Sequence, residues 1–297
     1  MSFKKETPLA NAVFWAARKG NLALLQLLLN SGRVDADCRD SYGTTALMVA
    51  SYSGHYDCVK ELIMQGADIN YQRERCTNSA ALTVNVFLLL SNTLVILVRP
   101  CVFMWQDGGT ALTVASQYGH SKVVDTLLKN GANVHDQLND GATPLFLAAQ
   151  EGHVTVIRQL LSSGAKVNQA REDGTAPLWM AAQMGHSEVV KVLLLRGADR
   201  DADRQDGSTA LFKAALKGHN GVIEELLKFS PSLGLLKNGS TALHAAVMSG
   251  NLQSVLLLLG ANADPTLPNK NSELPADLTK NDRILKVLRP KILNGHS

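Results

Sequence analysis

The stretch "NDGATPLFLAAQEGHVTVIRQLLSSGAKVNQ", residues Asn139–Gln169, reads as one complete structural unit. Asp140-Gly141 is a tight-turn signal in which glycine supplies a positive φ. Thr143 suits an N-cap, and Pro144 suits the first helical position, where a missing N–H costs nothing. Leu145, Ala148 and Ala149 give a short helix a small-residue face for close packing, and Gly152 ends it. Val156, Ile157, Leu160 and Leu161 then fall on one face of a second helix, at i, i+1, i+4 and i+5. Gly164 is the left-handed residue that closes that helix. Neither helix reaches the roughly 12–15 residues an isolated helix needs in water, so each unit must bury its apolar face against its neighbours.

The unit recurs along the chain. Its helix-turn glycine appears as Gly20, Gly54, Gly119, Gly152, Gly185, Gly218 and Gly250, with steps of 34, 65, 33, 33, 33 and 32 residues. The step of 65 is one residue short of two periods and marks a missing or altered unit. A second ladder follows twelve residues later in every case: Gly32, Gly66, Gly131, Gly164, Gly197, Ser230 and Asn262. A self-similar period of this length signals a stack of helix pairs and leaves no room for a separate catalytic domain.

"TPLFLAA", "APLWMAA", "TALFKAA" and "TALHAAV", together with the recurring Gly-His, resemble the ankyrin-repeat family. The resemblance implies an all-α ankyrin-repeat solenoid of stacked helix pairs with hairpin fingers, of about eight units plus a C-terminal cap, the third unit degenerate. The boundaries expected are 1–73 for units one and two, 74–106 for an aberrant apolar segment, 107–266 for units four to eight, and 267–297 for a capping unit and basic tail. The family implies a non-enzymatic scaffold that binds a protein through its concave helix face and finger tips. It implies no cofactor and no metal. It also implies hydroxylation of an asparagine eight residues beyond a leucine. Asn70 follows Leu62 by eight residues and Asn168 follows Leu160 by eight, which makes both candidates.

Composition agrees with such a module. The chain has 297 residues, 45% of them apolar, a net charge of +3 and a mean hydropathy near zero. That balance gives no large basic field for nucleic acid. The N-terminus lacks the apolar run of a secretory signal, and Cys38, Cys58, Cys76 and Cys101 form neither C-x-x-C nor zinc spacing. The expected setting is intracellular and cytoplasmic, as a monomer with reduced thiols. The "NGS" at Asn238–Ser240 is expected to stay unglycosylated there.

Five of the eight histidines (His55, His120, His153, His186 and His219) follow the helix-turn glycine. Equivalent positions in stacked helices lie roughly 8–10 Å apart, too far for two imidazoles to share one zinc at ~2.0–2.1 Å each. The first and eighth units place Asn21 and Asn251 in the same slot, so the slot asks for a hydrogen-bonding side chain and not for a base. The row Asp107, Asp140, Asp173 and Asp206 reads as turn chemistry. No phosphate-loop motif occurs.

A recognition surface is expected where chemistry varies inside a fixed frame. The two residues before each helix-turn glycine do so, and Tyr52, Tyr118, Gln150, Glu151, Gln183, Met184 and Lys217 are the partner-binding candidates among them. Phe146, Trp179 and Phe212 occupy the slot where the family motif carries histidine, kept here as His244. Trp179 is added to the binding candidates, although packing against the next unit is the other role open to this slot.

The third slot, "RERCTNSAALTVNVFLLLSNTLVILVRPCVFMWQ" (Arg73–Gln106), shows no Gly-His and no helix-closing glycine. Cys76–Val98 is a run of 23 uncharged residues, long enough to nominate a membrane helix. Thr83, Asn85, Ser91, Asn92 and Thr93 interrupt it. Three readings stand: an aberrant translated segment, a degenerate packed repeat, or an anchor over 80–98 that would make the protein a membrane-tethered adaptor. In the first, units one and two reach the rest only through a poor third slot and are weakly coupled.

Overall fold

The computed structural model describes residues 7–73, 108–237 and 239–293. Among them are fifteen α-helices and one 3-10 turn. The helices come in pairs of seven to twelve residues each: α1 (Pro8–Lys19) with α2 (Leu22–Asn30), then α3 (Ala46–Ser53) with α4 (Tyr56–Met64). After the undescribed residues come α5 (Ala111–Gln117) and α6 (Ser121–Lys129). Four more pairs follow: α7 (Pro144–Glu151) with α8 (Val154–Ser162), α9 (Pro177–Met184) with α10 (Ser187–Leu195), α11 (Ala210–Lys217) with α12 (Asn220–Leu227), and α13 (Ala242–Met248) with α14 (Leu252–Gly260). The 3-10 turn Pro275–Leu278 and α15 (Asp282–Leu293) end the described chain. This is an all-α repeat solenoid, as the sequence predicts.

Local chemistry sets the pairs. Thr7, Thr45, Thr110, Thr209 and Thr241 each accept a backbone N–H three residues ahead, at 3.2–3.3 Å, and so cap the inner helices. Ala176 stands in that slot before α9 and leaves the helix without a side-chain cap. Every residue of both glycine ladders has a positive φ, including Ser230 at 50° and Asn262 at 66°. The left-handed turn is thus retained in two units that have lost the glycine.

Two compact units divide the chain, Met1–Pro144 and Leu145–Ser297. In the first, α1 packs on α3 and α3 on α5, while α2, α4 and α6 form the parallel outer row. In the second, α9, α11 and α13 form the inner row, and α8, α10, α12 and α14 the outer one. Each core joins an alanine face of the inner helix to an aliphatic face of the outer one. Ala46, Ala50, Val59 and Leu62 are fully buried in one pair, as are Ala181, Ala182, Val190 and Leu193 in another.

The contact of α3 with α5 corrects the expectation of weak coupling through a third slot. The second helix pair meets the pair that begins after residue 108 directly, with no layer between them. The anchor reading of 80–98 and the positions Cys76, Cys101, Asp107 and Asn238 lie outside the described residues. Among the described residues no helix is long and apolar enough to cross a membrane.

Candidate interaction surface

The joint between successive units explains the Gly-His signature. His55 Nε2 meets the carbonyl of Arg18 at 3.0 Å, His186 that of Gln150 at 2.9 Å, and His219 that of Gln183 at 3.0 Å. A carbonyl can only accept, so Nε2 carries the proton and donates it. The glycine is needed twice. Its φ is left-handed, and a Cβ on Gly20 would lie 2.7 Å from His55, on Gly152 2.9 Å from His186, and on Gly185 3.0 Å from His219. Each imidazole therefore rests on the bare backbone of the unit before it and satisfies a carbonyl at the end of that unit's inner helix.

His120 makes the same joint across the long gap in sequence. Its Nε2 meets the Tyr52 carbonyl at 2.8 Å, and a Cβ on Gly54 would lie 2.6 Å from its ring. The asparagines in this slot work differently. Asn21 and Asn251 accept the N–H of Leu24 and Ser254 and cap their own outer helices, which none of His55, His120, His186 or His219 does. Asn251 also donates to the Gly218 carbonyl at 3.2 Å. The slot is thus polar, as expected, but it holds two devices. Among the described residues no cluster of histidine, cysteine and carboxylate side chains has the make-up of a metal site.

The residues clamped by the histidines are those predicted to recognise a partner. Tyr52, Gln150 and Gln183 are fixed by their carbonyls while their side chains stay half-exposed. One residue later, Glu151 and Lys217 are exposed, Met184 is 46% exposed and Met248 60%. Gln150 Nε2 donates to Glu151 Oε1 at 2.9 Å. In the first unit Tyr52 and Tyr118 meet edge to face with ring centroids 4.7 Å apart, on a floor of Met48 and Val114 with Tyr71 beside them.

Trp179 departs from this set. It is 3% exposed, and its indole N–H reaches the Ser208 carbonyl at 3.1 Å and Ser208 Oγ at 3.2 Å. The Arg204 guanidinium and the Lys213 ammonium sit over its ring, each 5.2 Å from the centroid. Phe146 is equally enclosed, under Arg171 at 5.3 Å. The bulky side chain in the motif's histidine slot holds the next finger and offers nothing to a partner. His244 does the same with hydrogen bonds, to Thr241 through Nδ1 and to the Glu273 carbonyl through Nε2 at 3.2 Å. Burial holds its pKa below the ordinary imidazole value.

The fingers close by turn chemistry. Asp140, Asp173 and Asp206 each accept the N–H two residues on, at 2.9–3.0 Å. Burial pushes the Asp173 carboxyl up, but the hydrogen bonds of Thr175 and the charge of Arg204, 2.9 Å away, hold it below the usual range. Sequence reading missed a second pairing in the first unit, where Arg39 lies 3.7 Å above the Tyr71 ring. Those two residues come from different fingers, and no local pattern links them.

Asn70 and Asn168 lie where fingers meet the next unit. Asn70 accepts the Asn133 N–H at 2.8 Å and donates to the Gly131 carbonyl at 3.1 Å. Asn168 accepts from Asp199 at 2.9 Å and donates to Gly197 at 3.3 Å. Asp37 and Asp201 accept a backbone N–H in the same way. The position latches neighbouring units whether its side chain is amide or acid.

Comparison with known proteins agrees with this architecture. A family model described as ankyrin repeats (3 copies) matches residues 4–73, 83–171, 112–203 and 178–269. Ankyrin repeat domain-containing protein 29 of Danio rerio is 77% identical over 298 residues, covering 100% of both chains. The protein of that name from Homo sapiens is 68% identical over 292 residues, covering 98% of this chain and 97% of its own. Putative ankyrin repeat protein YahD of Escherichia coli (strain K12) is 33% identical over 127 residues, 42% of this chain and 59% of that one. With its glycine-histidine joints, capped helix pairs and matched repeats, this chain belongs to the ankyrin-repeat family.

Proposed function

We propose that the protein is a non-enzymatic scaffold that binds a protein partner through its inner helix face and finger tips, as a monomer inside the cell. One observation carries this reading: the residues just before the helix-turn glycines are fixed by their backbone and variable and accessible in their side chains. Gln150, Glu151, Gln183, Met184 and Lys217 form that row in the second unit, and Tyr52 and Tyr118 in the first. Rigid presentation of varied side chains limits the entropy lost on binding. Exposed methionine and tyrosine are favoured at interfaces.

Reversing Glu151 and Lys217 to lysine and glutamate, with Tyr118→Ala, is expected to abolish co-precipitation of a partner from cell extract and leave the melting temperature unchanged. Binding that responds instead to Arg158, Glu188 and Lys191 on the outer helices would refute the assignment. Hydroxylation of Asn70 or Asn168 is a second proposal, supported by their exposure at the finger latch. Peptide mass spectrometry of cell-derived protein should show one added oxygen; unmodified peptides at both sites would dismiss it.

A further inference from the structure

We infer that Glu74–Trp105 is an insertion into one finger turn and not a layer of the stack, so that the solenoid runs directly from the α3/α4 pair to the α5/α6 pair. Every ordinary finger closes with two hydrogen bonds. Arg171 donates its N–H to Thr175 and accepts that of Gly174, each at 3.0 Å. Arg204 does so with Ser208 and Gly207 at 3.0 and 2.8 Å. Asp40 does so with Thr44 and Gly43 at 3.1 and 3.0 Å. Arg73 makes the same two bonds, donating to Gly109 and accepting from Gly108, each at 3.0 Å. Two residues separate the first and last members of the ordinary turns, and 34 separate Arg73 from Gly108.

The excess of 32 residues recurs in every measure of the joint. His120 reaches back 68 positions to its carbonyl, where His186 and His219 reach back 36. Asn70 bonds Asn133, 63 positions on, where Asn168 bonds Asp199, 31 positions on. The irregular glycine step, Gly54 to Gly119, is 65 residues, or one period of 33 plus 32. Removing Glu74–Trp105 leaves Arg73-Gln106-Asp107-Gly108, the same four residue types as Arg204-Gln205-Asp206-Gly207. Removing Arg75–Gln106 instead leaves Arg-Glu-Asp-Gly, as at Arg171–Gly174. Either junction restores a finger that this chain already builds. Insertions at an exposed turn tip cost only loop-closure entropy, which grows slowly with length.

The competing reading is a repeat layer between Arg73 and Gly108, and the family match that starts at residue 83 favours it. Such a layer would part Tyr52 from Tyr118. In the full chain, with its four cysteines changed to alanine, Tyr52→Cys/Tyr118→Cys treated with a short bismaleimide should cross-link with at least half the yield of Gln150→Cys/Met184→Cys, the same register positions one joint apart. A yield below half overturns the inference. Deleting Glu74–Trp105 should keep that cross-link and raise the melting temperature by several degrees, since a two-residue turn costs less entropy to close than a loop of 34. A deletion variant that melts below the parent, or loses the cross-link, overturns it equally.

Discussion

Two joints in this molecule have the same geometry and different histories in sequence. Between α7 and α9, His186 lies over Gly152 and bonds the Gln150 carbonyl, 36 residues back. Between α3 and α5, His120 lies over Gly54 and bonds the Tyr52 carbonyl, 68 residues back. The bond lengths differ by only a tenth of an ångström, 2.9 against 2.8 Å. A joint is therefore set by the two faces that meet and not by the chain that connects them. That is the energetic logic of a repeat stack, in which neighbour interfaces add to the stability of each unit.

The strongest way to break the comparison is to fill the bare backbone under the ring. Gly54→Ala and Gly185→Ala should each cost about 2–3 kcal/mol in urea unfolding, the sum of a left-handed alanine and an overpacked contact. Gly32→Ala, where a Cβ would meet nothing, should show the backbone part alone, about 1–2 kcal/mol. If Gly54→Ala matched Gly32→Ala while Gly185→Ala did not, the two joints would differ.

Next in size is a pH effect at His244, the buried exception to the exposed-edge histidines. Its folded pKa lies below the unfolded value of 6.5, so between the two the unfolded chain binds more protons. Stability is full above about pH 6.5 and falls as pH drops, by up to about 1.4 kcal/mol per pH unit for one proton. His244→Phe, copying Phe146 and Phe212, should remove that share of the acid sensitivity. An unchanged pH profile of the melting temperature would count against it.

Replacing the clamp itself should have a smaller effect. His120→Asn and His186→Asn should each cost about 1 kcal/mol, the worth of one hydrogen bond, offset in part because asparagine can cap the outer helix as Asn251 does. Equal losses at the two positions sharpen the comparison, and a loss confined to His186 contradicts it. Least in size, and opposite in sign, is Ala176→Thr, which restores the cap that α9 lacks and should stabilise by about 0.5–1 kcal/mol. A variant that unfolds earlier than the parent would show that the site has no room for the hydroxyl.

The sequence by itself determined everything closed within a few residues. Short helices, threonine caps and left-handed glycines depend on bonds between residues three to five positions apart, and a period of 33 displays them repeatedly. Ser230 and Asn262 were placed correctly by period alone, against residue preference. The histidine slot was legible as polar, but its partner was not, because that partner is a backbone carbonyl 36 or 68 positions away. For the same reason Trp179 looked like a candidate contact until Ser208, Arg204 and Lys213 were seen to enclose it.

Only the tertiary structure decided which unit follows the second. From spacing, 65 residues between glycines is nearly two periods and suggests a damaged repeat. The packed faces of α3 and α5 give it instead as one period with a segment attached. A chain pattern records distance along the backbone, and contact energy depends on distance through space. At a turn tip the two separate with little cost, and there the pattern loses its hold on the fold.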